Sequence, residues 1–416
     1  MILTKENIKE IVSIQLPSSK SISNRVLIIN ALSGNSELPL NVSDCDDTNV
    51  MIQWLASKPH MVDIGAAGTA MRFSTALLAV SEGEHVITGS PRMKQRPVAV
   101  LVDALRSIGA DISYMENEGF PPLRIQGNPA LRGGEITLRG DVSSQYISAL
   151  LMIGPYLQNG LKLILTGDII SRAYIDMTID LMTEFGADVE WADDSSIIVK
   201  PGRYDKQRYV VEADWSASSY WYEIIALSDE CTSVFLPNLS PYSLQGDSAV
   251  ADIFELLGVN TDFLIDEENN SCVRLSKTGN VVKTFEYDFS NQPDLAQTLA
   301  VTCCMMDIPF HLTGLSTLRI KETDRLNALK AELAKLGFDI QVLNDSELLW
   351  DGKRRKLSDE QLRAIAIDTY DDHRMAMAFA PAALKNGAII INHPEVVSKS
   401  YPNFWNDMQS AGFSIS

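Results

Sequence analysis

Apolar residues in this chain follow two periods that take turns along its length. Runs such as Glu135-Ile136-Thr137-Leu138 and Leu163-Ile164-Leu165-Thr166 alternate apolar and polar positions, the period of a strand. Leu/Ala runs such as Ser148-Ala149-Leu150-Leu151 and Thr298-Leu299-Ala300-Val301 carry the spacing of a helix. Together they predict a unit of strand, polar turn, helix, strand, second polar turn and helix, repeated six times. Three copies overlay directly, starting at Met61, Glu135 and Phe285. In all three the second strand ends on Thr-Gly, at Thr88-Gly89, Thr166-Gly167 and Thr313-Gly314. The second helix usually closes on a glycine before a final strand, as at Gly109, Gly186, Gly258, Gly337 and Gly412.

The first copy departs from this pattern. Its helix, Met51 to Ser57, runs almost directly into Pro59 and the next strand. It lacks a hairpin's worth of residues, about two strands with their turn at ordinary strand lengths. The extended run Tyr209-Val210-Val211-Glu212-Ala213-Asp214 lies halfway along the chain and divides three copies from three.

The unusual polar residues fall in the turns, at helix starts, where unpaired N–H groups and a partial positive charge favour anions. Pro17-Ser18-Ser19-Lys20-Ser21-Ile22-Ser23-Asn24-Arg25 opens the first helix. Gly65-Ala66-Ala67-Gly68-Thr69-Ala70-Met71-Arg72 is a turn of small residues that lets a ligand approach the backbone. Pro91-Arg92-Met93-Lys94-Gln95-Arg96-Pro97 holds three cations between prolines, and Ser143-Ser144-Gln145 and Ser171-Arg172-Ala173-Tyr174 supply hydroxyl donors. Each stretch alone also reads as a capped surface helix or an exposed basic loop. Arg319-Ile320-Lys321-Glu322-Thr323-Asp324-Arg325 packs opposite charges into one turn, as a salt-bridge network or a proton-transfer site. Asp372-His373-Arg374 and Val397-Ser398-Lys399 repeat the pattern, and Asp294 is an acid, or a helix cap, where other copies carry Thr69 or Ser144.

Composition narrows the functional classes. The net charge of −19 argues against nucleic acid, which needs a basic surface. Five cysteines without a C-x-x-C pair fit a reduced, cytoplasmic protein. The first ten residues have no apolar core of a signal peptide, and no run is long enough to cross a bilayer. Scattered histidines exclude a recognisable metal site, and no phosphate-loop motif indicates nucleotide binding. No cofactor, membrane or nucleic-acid partner is expected.

The set and order of these motifs resemble those of the 5-enolpyruvylshikimate-3-phosphate synthase family over essentially the whole chain. The resemblance implies an α/β (α+β) fold, a two-domain inside-out barrel of six βαβαββ subunits, three per domain, the first truncated. It places the domains at 19–212 and at 1–18 with 213–416, with hinges near 17–19 and 211–214 that close when anions neutralise the gathered cations. The implied reaction moves the enolpyruvyl group of phosphoenolpyruvate to the 5-hydroxyl of shikimate 3-phosphate, with substrates between the domains. By family position, Ser21, Arg25, Ser143, Ser144, Ser171, Tyr174 and Lys321 hold shikimate 3-phosphate. Lys20, Gly68, Arg96, Gln145, Arg325, Arg374 and Lys399 hold phosphoenolpyruvate, with Thr69 beside them. Asp294 and Glu322 are the implied acid–base residues, assisted by Lys20 and His373. A monomer is expected.

Three positions depart from the family: Ser18 for Gly, Ala66 for Asn and Phe73 for Pro. Two alternatives stand beside this reading. UDP-N-acetylglucosamine enolpyruvyltransferases share the fold and donor, but their mobile Cys or Asp loop has no counterpart in Arg92–Pro97. A non-catalytic anion-binding homologue would have lost its acids and bases.

Overall fold

The computed structural model describes all residues except 7, 229–231, 266–270 and 359–364; Cys231 therefore lies outside the described residues. The chain divides into two compact units. The first is Ser18–Val211; the second is Met1–Pro17 with Glu212–Ser416.

The described residues form five four-stranded sheets, all with one pairing pattern. In the first unit, Gly134–Arg139, Leu161–Thr166, Ser196–Val199 and Val189–Asp193 lie side by side in that order. The first pair is parallel and the next two pairings are antiparallel. The same sequence of pairings holds for the sheet of Met61–Asp63, Gly83–Thr88, Leu123–Gly127 and Asp111–Tyr114. A parallel pair needs a long crossover and an antiparallel pair only a turn. The first helix of each copy is that crossover.

In the second unit the sheet built on Phe285–Asp288 and Phe310–Thr313 repeats the pattern. The other two sheets borrow strands from the start of the chain. Ile11–Ser13 pairs in parallel with Ser233–Pro237. Ile2–Lys5 lies between Ala388–Ile391 and Phe413–Ile415, antiparallel to both.

Among the described residues the first copy shows a parallel bridge between Leu40 and Val210 in place of a four-stranded sheet. The run Tyr209–Asp214 contributes this bridge rather than a full strand. The antiparallel pair is missing, as the short spacing before Pro59 predicts. A cavity of about 780 Å³ opens beside the shortened connection, walled by Leu27, Trp54, Leu77 and Leu78.

The crossover helices are Lys20–Ser33, Gly68–Ala79 and Ser144–Ile153 in the first unit. In the second unit they are Trp215–Leu227, Ala296–Met305 and His373–Phe379. Their apolar and small residues run all round rather than along one stripe, which marks a helix enclosed on every side. The Ala296 and His373 helices are buried throughout. The Gly68 and Ser144 helices are buried except at Thr69 and Gln145, both in the first turn. In these last two helices burial is relieved at the N-terminal end, where a polar motif sits. The closing glycines Gly109, Gly186, Gly258, Gly337 and Gly412 all have positive φ, 80° to 104°, a backbone state that a Cβ penalises. No helix among the described residues is long and apolar enough to cross a membrane.

Candidate functional site

In the first unit, Lys20 is the first residue of its helix, which Ser19 caps by accepting the Ile22 amide at 3.3 Å. The Lys20 ammonium lies 3.4 Å from Asp47 Oδ2, and both side chains are largely buried. Arg25, one turn further on, is buried at 3% exposure. It donates through Nε to Thr178 Oγ1 at 2.8 Å, through Nη1 to the Ser21 carbonyl at 2.9 Å, and through Nη2 to Ser148 Oγ at 3.2 Å and the Tyr174 carbonyl at 3.1 Å. Burial pulls its pKa down to about 10. Its guanidinium stacks on Phe73, 5.4 Å from the ring centre, which gives that departure from the family pattern a packing role.

Gly68 starts the next buried helix, whose N-cap residue Ala67 supplies no side-chain cap. Two guanidiniums crowd over it. A Cβ built on Gly68 would sit 2.6 Å from Arg96 Nη1 and 2.7 Å from Arg72 Nη1. Arg72 donates to the Gly68 carbonyl at 2.8 Å and lies over the Tyr146 ring. Two cations at an N-terminal end form a local centre for an anion. Thr69 accepts from Gln145 Nε2 at 3.0 Å, which ties this turn to the Ser144 helix. Ser143 caps that helix through the Gln145 amide at 3.4 Å, and Ser144 is buried in its first turn. Ser171 precedes Arg172 with φ 55°, in the left-handed region, and is buried.

The second unit gathers Asp294, Lys321, Glu322, Arg325, Arg374 and Lys399 around one buried guanidinium. Arg325 is the first residue of its helix and 2% exposed. A cation there opposes the helix dipole, and three carboxylates answer it. Arg325 Nε donates to Asp372 Oδ2 at 2.7 Å, Nη1 to Asp294 Oδ1 at 2.9 Å and Nη2 to Glu322 Oε2 at 3.0 Å. Asp294 also takes Arg374 Nη2 at 3.1 Å and lies 3.3 Å from Lys321 Nζ. Glu322 takes Lys399 Nζ at 2.8 Å. Four cations meet three carboxylates, so the cluster carries a net charge of 4 − 3 = +1 with His373 neutral. The repulsion among cations that the sequence predicts is therefore largely answered inside the unit.

Electrostatics in this cluster are uneven. Burial works against ionised Asp294, but Arg374, Lys321 and Arg325 outweigh it and hold the carboxyl well below the usual range. Burial lowers the pKa of Lys321, with Asp294 opposing that shift. Burial also disfavours charged Arg325, yet Asp372, Glu322 and Asp294 turn the balance and raise its pKa. His373 is buried, with Nδ1 3.7 Å from Asp372 Oδ1.

Several contacts among these side chains have no counterpart in the sequence motifs read singly. Asp372 both grips Arg325 and caps the His373 helix by accepting the Arg374 amide at 2.9 Å. Asp47 pairs with Lys20, Thr178 and Ser148 with Arg25, and Tyr220 stands beside Arg374 in the second unit. The signal for Asp372 is its place one residue before a buried helix; Thr178 and Ser148 have none, because Arg25 reaches them across 153 and 123 residues. Asp294 does not cap its helix; its carboxylate is spent on three cations. Arg319, at the edge of the charged motif, instead pairs outward with Asp324 and Asp345. Among the described residues no cluster of His, Cys, Asp and Glu is arranged to hold a metal ion.

Known proteins bear on this geometry. The chain is 55% identical over 403 residues to the 3-phosphoshikimate 1-carboxyvinyltransferase of Bacteroides fragilis (strain YCH46), covering 97% of this chain and 96% of the relative. It is 35% identical over 428 residues to the protein of the same name from Photobacterium damsela subsp. piscicida, covering 95% and 96%. The fold matches that of an EPSP synthase structure from Acinetobacter baumannii, with a TM-score of 0.75 at 21% identity over 100% of this chain and 99% of the other. Residues 53–408 match the sequence family described as EPSP synthase (3-phosphoshikimate 1-carboxyvinyltransferase), and the chain belongs to that family.

Proposed function

We propose that this protein transfers the enolpyruvyl group of phosphoenolpyruvate to the 5-hydroxyl of shikimate 3-phosphate with release of phosphate, and that the two clusters serve this one reaction. Family membership supports the reaction itself and favours it over transfer to UDP-N-acetylglucosamine. The observation that carries the assignment of residues is the alternation of cations and carboxylates around Arg325.

Both substrates are anions, and the clusters supply matching cations. Arg96 and Lys20 of the first unit, with Arg325, Arg374 and Lys399 of the second, are assigned to phosphoenolpyruvate, with Gly68 and Gln145 at its side. Ser21, Ser143, Ser144, Ser171, Tyr174 and Lys321 are assigned to shikimate 3-phosphate. Arg25 has four of its five N–H groups engaged by protein acceptors and acts chiefly by holding Ser21, Ser148 and Tyr174 in place.

The chemistry needs a proton delivered to the methylene carbon and another removed from the attacking hydroxyl. Glu322, between Lys399 and Arg325, is assigned the methylene proton and its later removal. Asp294 is assigned the hydroxyl proton. In the free protein Asp294 is too well stabilised as an anion to be a strong base. Substrate anions that engage Lys321 and Arg374 draw those cations from Asp294 and raise its basicity when the hydroxyl is in place. The oxygen then bonds to the central carbon, giving a tetrahedral adduct. The adduct collapses by breaking the carbon–phosphate oxygen bond and returning the methyl proton. His373 and Lys20 assist, and domain closure in the cytoplasm completes the reading. The test is phosphate release from phosphoenolpyruvate with each acceptor. Release with shikimate 3-phosphate alone supports the reading; release only with UDP-N-acetylglucosamine, or with neither, overturns it.

A further inference from the structure

The helix Arg325–Lys335 grips the segment before Arg374 at two points. Arg325 and Glu332 stand seven residues apart, about two helical turns, and so share one face. Arg325 takes Asp372. Glu332, fully buried, accepts the Tyr370 hydroxyl at Oε1, 2.7 Å, and the Asp368 amide at Oε2, 3.0 Å. Lys335 Nζ lies 2.6 Å from the same Oε2 and donates to Asp368 Oδ2 at 2.8 Å. Between these anchors Tyr370 and Asp371 have φ of 54° and 55°, two successive left-handed residues, neither of them glycine. A Cβ disfavours that state, most of all on a bulky side chain, and it persists only where surrounding contacts over-determine it. The Asp372 amide then donates to the Thr369 carbonyl at 2.8 Å, closing the turn directly before His373 and Arg374.

We propose that Glu332 is a positioning residue: by holding the Tyr370 hydroxyl and the Asp368 amide it locks the left-handed pair, and so sets where the helix carrying Arg374 begins. This inference rests on the assignment of Arg374 to phosphoenolpyruvate. Released from Glu332, Tyr370 relaxes towards the ordinary backbone regions, and the chain enters Asp372 from another direction. Arg325 still holds the Asp372 side chain and Asp294 that of Arg374, so the unit stays folded while the guanidinium loses its aim. The loss falls on one substrate, because Lys321, assigned to shikimate 3-phosphate, lies outside this turn.

The test is Glu332→Ala and Tyr370→Phe, each read by steady-state kinetics and by amide hydrogen exchange. The KM of phosphoenolpyruvate rises about tenfold in Glu332→Ala and about three- to fivefold in Tyr370→Phe, where one hydrogen bond is lost. The KM of shikimate 3-phosphate stays within about twofold and kcat within about threefold. The Asp372 and Arg374 amides exchange about tenfold faster, while those of the Ala296 helix keep their rates. Unchanged exchange at Asp372 and Arg374 overturns the proposal. So does faster exchange throughout the unit with both KM values unmoved, which marks a general stabiliser. Should Glu332→Ala fail to fold, Tyr370→Phe carries the test, since it removes the same bond from an exposed ring. Arg374→Gln in the same assay separates the two readings: an unchanged KM for phosphoenolpyruvate there takes Arg374 away from that substrate, while exchange at Asp372 still decides whether Glu332 holds the turn.

Discussion

Arg325 and Asp372 lie 47 residues apart in the chain and meet at two points, Nε to Oδ2 at 2.7 Å and Nη2 to Oδ1 at 3.4 Å. Both side chains are buried, at 2% and 0% exposure. Removing one partner of such a pair strands the other charge. Asp372→Ala is therefore expected to destabilise the second unit by about 3 kcal/mol, also losing the cap on the His373 helix. Urea unfolding checks this; a loss below about 1 kcal/mol would mean that Asp294 and Glu322 suffice for Arg325.

Glu322→Gln keeps the hydrogen-bonding shape beside Arg325 and Lys399 but cannot carry a proton. Turnover is expected to fall about 10²- to 10⁴-fold with substrate binding retained. Steady-state kinetics with a binding titration decide it. Near-normal turnover would make Glu322 a structural partner of Arg325.

Gly68→Ala places a methyl group where the Arg96 and Arg72 nitrogens now lie, at 2.6 and 2.7 Å. The guanidiniums must move away from the helix end. The expected result is a drop of about ten- to a hundredfold in kcat/KM for phosphoenolpyruvate, carried mainly by KM. Unchanged kinetics would show that the anion does not use this pair.

Glu223 tests the core rather than the site. It is 0% exposed, and neither carboxyl oxygen has a hydrogen-bond partner among the described residues. The nearby Thr302 hydroxyl already donates to the Thr298 carbonyl at 2.7 Å. Burial pushes the Glu223 carboxyl well above its usual range. A raised folded-state pKa gives stability that is whole below the unfolded value, about 4.3, and is lost as pH rises through the folded value. Glu223→Gln is thus expected to raise Tm by about 2 to 4 °C near pH 7 and to lose that advantage near pH 4. Thermal unfolding at both pH values checks it; an equal gain at both would assign the effect to packing.

The sequence made the repeats readable because period and punctuation are local. Gly186 and Gly337 mark helix ends through backbone conformation alone, and the gap before Pro59 reveals a missing strand pair. The borrowed strands Ile2–Lys5 and Ile11–Ser13 were not readable from local pattern, because nothing near them in the chain indicates their distant partners; only the family resemblance grouped residues 1–18 with 213–416. Charged residues at helix starts were legible in the sequence, but their pairing was not. Lys321-Glu322-Thr323-Asp324-Arg325 looks like a self-contained network. In the fold, Asp324 instead caps the Arg325 helix through Asn327, while Arg325 reaches out to Asp294 and Asp372.

The strand Ile2–Lys5 has Ile390 opposite Ile2 on one side and Ile415 opposite Leu3 on the other. Ile2–Lys5 therefore gains its ladder partners only once residues 388–391 and 413–415 have been made. Ser18–Val211 is contiguous and can complete its contacts halfway through synthesis. A chain cut before Ala388 would therefore leave Ile2–Lys5 without either of its ladder partners.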